Sequence, residues 1–72
     1  MLREMTEEEA AIAIELLQRS LHAERGRKFD VYYRAGKGAL VVEHGADLTP
    51  ANVVLAVPEV HLYVYATVGI LA

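Results

Sequence analysis

The first third of the chain has apolar residues at the spacing of an amphipathic helix. The apolar stripe consists of Ala10, Ala13, Ile14, Leu17 and Leu21. Thr6 followed by Glu9 fits a capping box at the start, and Gly26 suits the residue that follows a helix. The pattern therefore predicts a helix that is capped by Thr6 and ends at Gly26.

Two apolar segments, FDVYYRA and ALVVEH, flank the GKG of residues 36–38. With Gly36 and Lys37 as a two-residue turn, they predict a hairpin in which Tyr33 lies opposite Leu40. The register separates the side chains into two faces. One face carries Phe29, Val31, Tyr33, Leu40 and Val42, and the other carries Asp30, Tyr32, Arg34, Val41 and Glu43.

The last third of the chain predicts a short helix followed by a strand. Thr49 suits the N-cap, Pro50 the first helical position, and Pro58 the end of this helix. Residues 61–72 then alternate in the manner of a strand. One face is aliphatic, with Leu62, Val64, Ala66, Val68 and Ile70, and the other carries His61, Tyr63, Tyr65 and Thr67.

These elements predict a single small α+β domain over residues 1–72, in the order α-β-β-α-β. The expected sheet is three-stranded and mainly antiparallel, with both helices packed on its aliphatic face. No second domain or linker is indicated by the sequence.

Composition suggests that such a domain does not stand alone. A chain of 72 residues builds a small core, yet 54% of its residues are hydrophobic, and it has no cysteine for a disulfide or a thiolate metal site. Excess apolar surface indicates a subunit interface. Asn52 and Gln18 are the only amide side chains, a depletion that is typical of thermophilic proteins.

The tyrosine-rich face of the predicted sheet is the expected interface. Tyrosine combines apolar area with a polar tip and is enriched where proteins meet. We expect a homo-oligomer, with a dimer favoured, and an unknown protein as a further partner. A flat ligand platform and an ordinary half-exposed sheet face remain alternatives. The predicted interface residues are Tyr32, Val41, Tyr63, Tyr65 and Thr67.

A second group of residues raises the hypothesis of a ligand site. The predicted register places Asp30 opposite Glu43, an unfavourable pair of like charges that calls for a neighbour such as Arg34 or His61. The group would suit a small molecule or an anion at a subunit interface, or a divalent metal in a small enzyme. The structural alternative is a set of ordinary surface charges, and we assign no metal and no cofactor.

Charge and motifs narrow the function classes further. The net charge of −3 disfavours nucleic-acid binding, although five cations lie between residues 25 and 37. No phosphate loop, nucleophile elbow or catalytic residue is evident, so an enzyme is not expected. The charged start lacks a signal peptide, and the apolar end is too short to cross a membrane. The resulting hypothesis is a cytoplasmic protein–protein association module that homo-oligomerises through its sheet.

Overall fold

The structure, a computed structural model, describes residues 4–71 of the chain. Within this range the elements are α1 (Glu7–Arg25), β1 (Phe29–Arg34), β2 (Gly38–Glu43), a 3-10 turn (Pro50–Asn52), β3 (Leu55–Pro58) and α2 (Glu59–Leu71). The three strands form an antiparallel sheet in the order β1-β2-β3, and both helices pack against it. The predicted α+β class and its layers are confirmed, but the order of the last two elements is not.

The first helix begins and ends as its sequence predicts. The Thr6 hydroxyl accepts a hydrogen bond from the Glu9 N–H at 3.1 Å, and the Glu9 carboxylate accepts one from the Thr6 N–H at 3.0 Å. Gly26 follows the helix with φ of 65°, and its N–H donates to the His22 carbonyl. Both ends are set by local interactions, which explains why they can be read from the sequence.

The hairpin forms where it is predicted, but its register is shifted by one residue. Arg34 lies opposite Gly38, which leaves a three-residue turn, and Tyr33 lies opposite Ala39 rather than Leu40. Gly38 has φ of 119°, and a Cβ there would lie 2.0 Å from the Val57 carbonyl oxygen. Gly38 therefore belongs to β2, where β3 packs beside it. The turn consists of residues 35–37 and begins one residue earlier than the predicted Gly36-Lys37 turn.

This shift moves every side chain of β2 to the opposite face of the sheet. Ala39 and Val41 join Phe29 beneath the helices, whereas Leu40 lies beside Leu48, Pro50 and Val53 on the other face. The segment between β2 and β3 covers that second face, and Val42 is fully buried there.

The predicted final helix and strand are exchanged in the structure. Pro50–Asn52 is only a short 3-10 turn, Leu55–Pro58 is a strand, and Glu59–Leu71 is a helix. The strand predicted for residues 61–72 is therefore wrong over 61–71, and residue 72 lies outside the described range. The alternating apolar residues also contain a helical stripe, Leu62, Ala66 and Gly69, and packing selects that stripe.

The core lies between the helices and one face of the sheet. Its buried side chains come from both helices and all three strands and include Ala13, Leu17, Phe29, Val41, Val57 and Leu62. Small residues let the helices approach closely, since a Cβ at Gly69 would lie 2.2 Å from Ile12 Cγ2. A strand over residues 61–71 could not supply this contact with α1.

Candidate functional site

The structure separates the five residues of the predicted interface. Val41 is fully buried beneath the helices, and Tyr32 is exposed on the opposite face of the sheet. Tyr63 and Tyr65 are half-buried on α2, and Thr67 is exposed on the same helix. The tyrosine face of the sheet does not exist, because the register shift turns Val41 inward and the last segment is helical.

The four residues of the predicted ligand site do not converge either. Asp30 lies opposite Val42, not Glu43, and its carboxylate accepts hydrogen bonds from His44 and Gly45. Glu43 forms an ion pair with Arg27 at 3.0 Å between Oε1 and Nη1. Arg34 lies at the far end of β1 from Asp30, and His61 is exposed on α2.

The Asp30 carboxylate on β1 binds the segment that follows β2 through two hydrogen bonds. His44 Nδ1 and the Gly45 N–H each lie 2.9 Å from one of its carboxylate oxygens. The hydrogen bond from His44, followed by that from Gly45, lowers the pKa of Asp30 below its ordinary value. Both contacts favour the ionised carboxylate, so the group has a structural role that the sequence does not reveal.

Tyr33 and Glu59 join the hairpin turn to the start of α2. The Tyr33 hydroxyl donates to Glu59 Oε1 at 2.5 Å, and the Gly36 N–H donates to the same oxygen at 3.2 Å. The hydrogen bond to Glu59, with burial, raises the pKa of Tyr33 to about 12. Tyr33 therefore stays protonated at neutral pH and links the hairpin to the start of α2.

The outward side of α2 carries an exposed apolar stripe. Val60, Val64 and Val68 recur every four residues, and their exposed fractions are 52%, 62% and 57%. Leu55 on the neighbouring strand β3 is 38% exposed. No charged residue occurs between residues 60 and 71 or within β3. We call this area, defined by Leu55, Val60, Val64 and Val68, the α2–β3 surface.

A groove of about 410 Å³ runs along this surface between α2 and β3. The walls are mainly apolar, and the imidazole of His61 and the phenol of Tyr65 supply polar atoms. Residues that line the groove include Leu17, Leu55, Val57, His61, Val64 and Tyr65. The groove is open to solvent and makes the apolar surface concave between α2 and β3.

The two edges of the sheet differ in their protection. On β1, the Phe29 N–H donates to His22 Nε2 at 2.9 Å, and the Phe29 carbonyl accepts from Gln18 Nε2 at 3.1 Å. Side chains of α1 therefore satisfy the outward backbone groups of Phe29, at the first residue of β1. Within the described chain, no strand pairs with the outer edge of β3.

Sequence reasoning misses the α2–β3 surface because it assigns residues 61–72 to a strand. The signal that could have found it is the spacing of Val60, Val64 and Val68 at every fourth position. In a strand these three residues share the aliphatic face that packs on the core. In the helix they lie opposite Leu62 and Ala66 and face away from the core.

Neither a metal-binding cluster nor a membrane-spanning helix occurs among residues 4–71. No three histidine, aspartate or glutamate side chains in residues 4–71 lie where they could hold a metal ion together. Neither of the two described helices is long and apolar enough to cross a bilayer.

Comparison with known proteins finds no matching family, no matching curated protein and no matching solved structure.

Proposed function

We propose that this chain is a protein–protein association module that forms a homodimer through the α2–β3 surface. One observation carries the proposal. Val60, Val64 and Val68 are each more than half exposed, and they lie on a helix that has no charged residue after Glu59. A continuous exposed apolar stripe of this kind typically marks a contact surface. The described chain covers only the inner side of α2.

A second copy of the chain is the occupant that the charge distribution favours. The chain carries a net charge of −3, so two copies repel each other at long range. The α2–β3 surface is uncharged and adds no contact between like charges to this repulsion. In a dimer with two-fold symmetry the same patch meets itself, and an apolar patch without charge satisfies that requirement.

The expected dimer is weak. Full burial of a valine or leucine contributes about 1.5–3 kcal/mol, so covering a half-exposed one contributes about 1 kcal/mol. The four residues of the surface in two copies then contribute about 8 kcal/mol, against an association cost of roughly 4–15 kcal/mol. Contacts in the groove add to the favourable side. At the low end of that cost the net free energy is on the order of −4 to −5.5 kcal/mol, and we expect a dissociation constant of roughly 0.1–1 mM.

Sedimentation velocity over a concentration series tests the proposal. We expect the wild-type chain to shift from monomer to dimer as its concentration rises. Val64→Asp places a charge at the centre of the surface in both copies and should weaken the dimer at least about tenfold, equivalent to about 1.4 kcal/mol. Circular dichroism should show that this variant keeps its fold, because Val64 lies outside the core.

Leu48→Asp is the matched control. Leu48 is also an exposed apolar residue, with 46% exposure, but it lies on the opposite side of the sheet beside Leu40. We expect its dimerisation to equal that of the wild type. A chain that stays monomeric to millimolar concentration would contradict the proposal. If native mass spectrometry then showed a bound small molecule, the ligand-binding class that the sequence left open would take its place.

A further inference from the structure

The pattern of backbone hydrogen bonds shows which groups face the open edge of the sheet. The His44 N–H donates to the Lys28 carbonyl at 3.1 Å, so hydrogen-bonded pairs between β1 and β2 alternate from that pair onward. The backbone N–H and C=O groups of Val42 and Leu40 then point toward β1, whereas those of Val41 and Ala39 point toward β3. The Val41 carbonyl accordingly accepts from the Val54 N–H at 2.8 Å.

The same alternation assigns the backbone of β3. Leu55 and Val57, which lie opposite Val41 and Ala39, face β2. Ala56 between them therefore directs its N–H and its carbonyl toward the open edge. Pro58 is the next residue whose backbone points toward that edge, and as a proline it has no N–H to donate. The open edge of β3 thus presents one residue that can both donate and accept.

Building on the proposed function, we infer that two copies join by pairing β3 with β3 about a two-fold axis at Ala56. The Ala56 N–H of each copy donates to the Ala56 carbonyl of the other, which makes a symmetric hydrogen-bonded pair. The result is a continuous antiparallel sheet of six strands. At the other sheet edge, Gln18 and His22 occupy the outward groups of Phe29, and that edge lies on the α1 side of the molecule, away from the α2–β3 surface.

This arrangement also brings the apolar helices together. α2 packs over both β2 and β3, whereas α1 packs over β1. Adjacent strands lie about 4.8 Å apart, so a helix centred between β2 and β3 lies about 5 Å from an axis midway between the two copies of β3. The two α2 helices are then about 10 Å apart, which is the distance of packed helices. One axis therefore covers the edge of β3 and the stripe of Val60, Val64 and Val68.

The short edge explains why strand pairing and helix packing are both required. Pro58 limits the new ladder to the two hydrogen bonds of the Ala56 pair, and the Val54 N–H is already used by Val41. Two bonds alone do not hold a dimer, which protects the edge from pairing with unrelated strands. The apolar contact of α2 with α2 supplies specificity for a second copy.

A cysteine at the proposed axis tests the arrangement directly. The chain has no cysteine, so Ala56→Cys introduces a single thiol per copy. Opposed residues of a hydrogen-bonded antiparallel pair have Cα atoms about 5.5 Å apart, within the range of roughly 4.4–6.8 Å that a disulfide spans. Under mild oxidation we expect Ala56→Cys to form a covalent dimer rapidly, as measured by non-reducing electrophoresis and intact mass.

Ala23→Cys is the control, since Ala23 is exposed on α1 away from β3. We expect it to cross-link at least about tenfold more slowly, because its thiols meet only by random collision. Ala56→Pro provides a second measurement. It removes one hydrogen bond from each copy, and at about 1 kcal/mol per bond it should weaken the dimer by about 30-fold in sedimentation while circular dichroism is unchanged.

The outcomes separate this inference from the proposed function. If Val64→Asp disrupts a wild-type dimer while Ala56→Cys cross-links no faster than Ala23→Cys, the β3 pairing is overturned and the association through α2 stands. If the wild type is monomeric at every concentration, both are overturned. Rapid cross-linking of Ala56→Cys, together with dimer loss in Ala56→Pro, supports the arrangement.

Discussion

At the scale of single residues, polar side chains set the connections between elements. Asp30 holds the segment after β2, and Glu59 holds the hairpin turn against the start of α2. In the part of the chain that the structure describes, no buried side-chain nitrogen or oxygen lacks a hydrogen-bond partner. The polar groups of Asp30 and Glu59 therefore serve to connect elements of the fold.

Asp30 gives the fold a predictable dependence on pH. Its pKa in the folded state is lower than its ordinary value, so its contribution to stability is present above about pH 4 and is lost as pH falls through the lowered pKa. We expect Asp30→Asn to lower the urea midpoint at pH 6–7. The difference from the wild type should shrink as the pH falls and the Asp30 carboxylate becomes protonated.

Asp47→Asn is the matched control for Asp30→Asn, because Asp47 is exposed and lies on the same segment. We expect its urea midpoint to follow that of the wild type at every pH. An Asp30→Asn variant that is equally stable to the wild type at pH 7 would contradict the role assigned to the carboxylate.

At the scale of elements, close helix packing decides the conformation of the last segment. Residues 59–71 contain both an alternating and a helical apolar pattern, and the helical one places small residues against α1. Ala66 is 1% exposed, and Gly69 meets Ile12. The strand role passes to Leu55–Pro58, where Val57 reaches the core opposite Ala39.

Gly69→Ala tests this packing. Alanine favours a helix over glycine by about 1 kcal/mol, so a site without steric limits would be stabilised. Here the new Cβ would lie 2.2 Å from Cγ2 of Ile12, a β-branched side chain that cannot easily turn away. Overpacking typically costs about 1–3 kcal/mol, and we expect it to prevail, with a net loss of about 1 kcal/mol in denaturant unfolding.

Two further variants make the test of Gly69 specific. In an Ile12→Ala background, Gly69→Ala should cost less than it does in the wild type, because the two sites are in direct contact. Thr67→Ala lies on the exposed side of the same helix and should change stability by less than about 0.5 kcal/mol. A stabilised Gly69→Ala would show that α1 and α2 are less closely packed than described.

At the scale of the whole molecule, the two sides of the sheet have different coverings. The helices cover one side, and the segment between β2 and β3 covers the other, where Val42 is fully buried. The remaining apolar surface is concentrated on α2 and β3. The proposed association would stabilise the folded chain, because a second copy would cover the α2–β3 surface.

Thermal stability should therefore depend on protein concentration. Since association stabilises only the folded chain, we expect the melting temperature to rise by about 3–5 °C for each tenfold increase in concentration above the dissociation constant. Differential scanning calorimetry measures the slope. The Val64→Asp variant should show a smaller slope over the same range, and equal slopes in the two proteins would contradict a dimer built on α2.

Elements that depend on interactions between neighbouring residues could be predicted from the amino-acid sequence alone. The caps of α1, its buried stripe and the existence of the β1–β2 hairpin are all set by neighbouring residues. The α+β class and an excess of apolar surface also follow from the sequence. The expectation of an interface was tied to a sheet face that does not exist, so only the general idea of association carries over to the proposal.

Tertiary structure decided the hairpin register, the exchange of the last two elements and the position of the exposed surface. Gly36-Lys37 and the longer turn are both compatible with the local sequence, and contact of Gly38 with β3 selects between them. The apolar run of residues 61–71 fits a strand or a helix, and the approach of Gly69 to Ile12 selects the helix. In both cases, packing between residues distant in sequence chose between conformations that local preference left nearly equal.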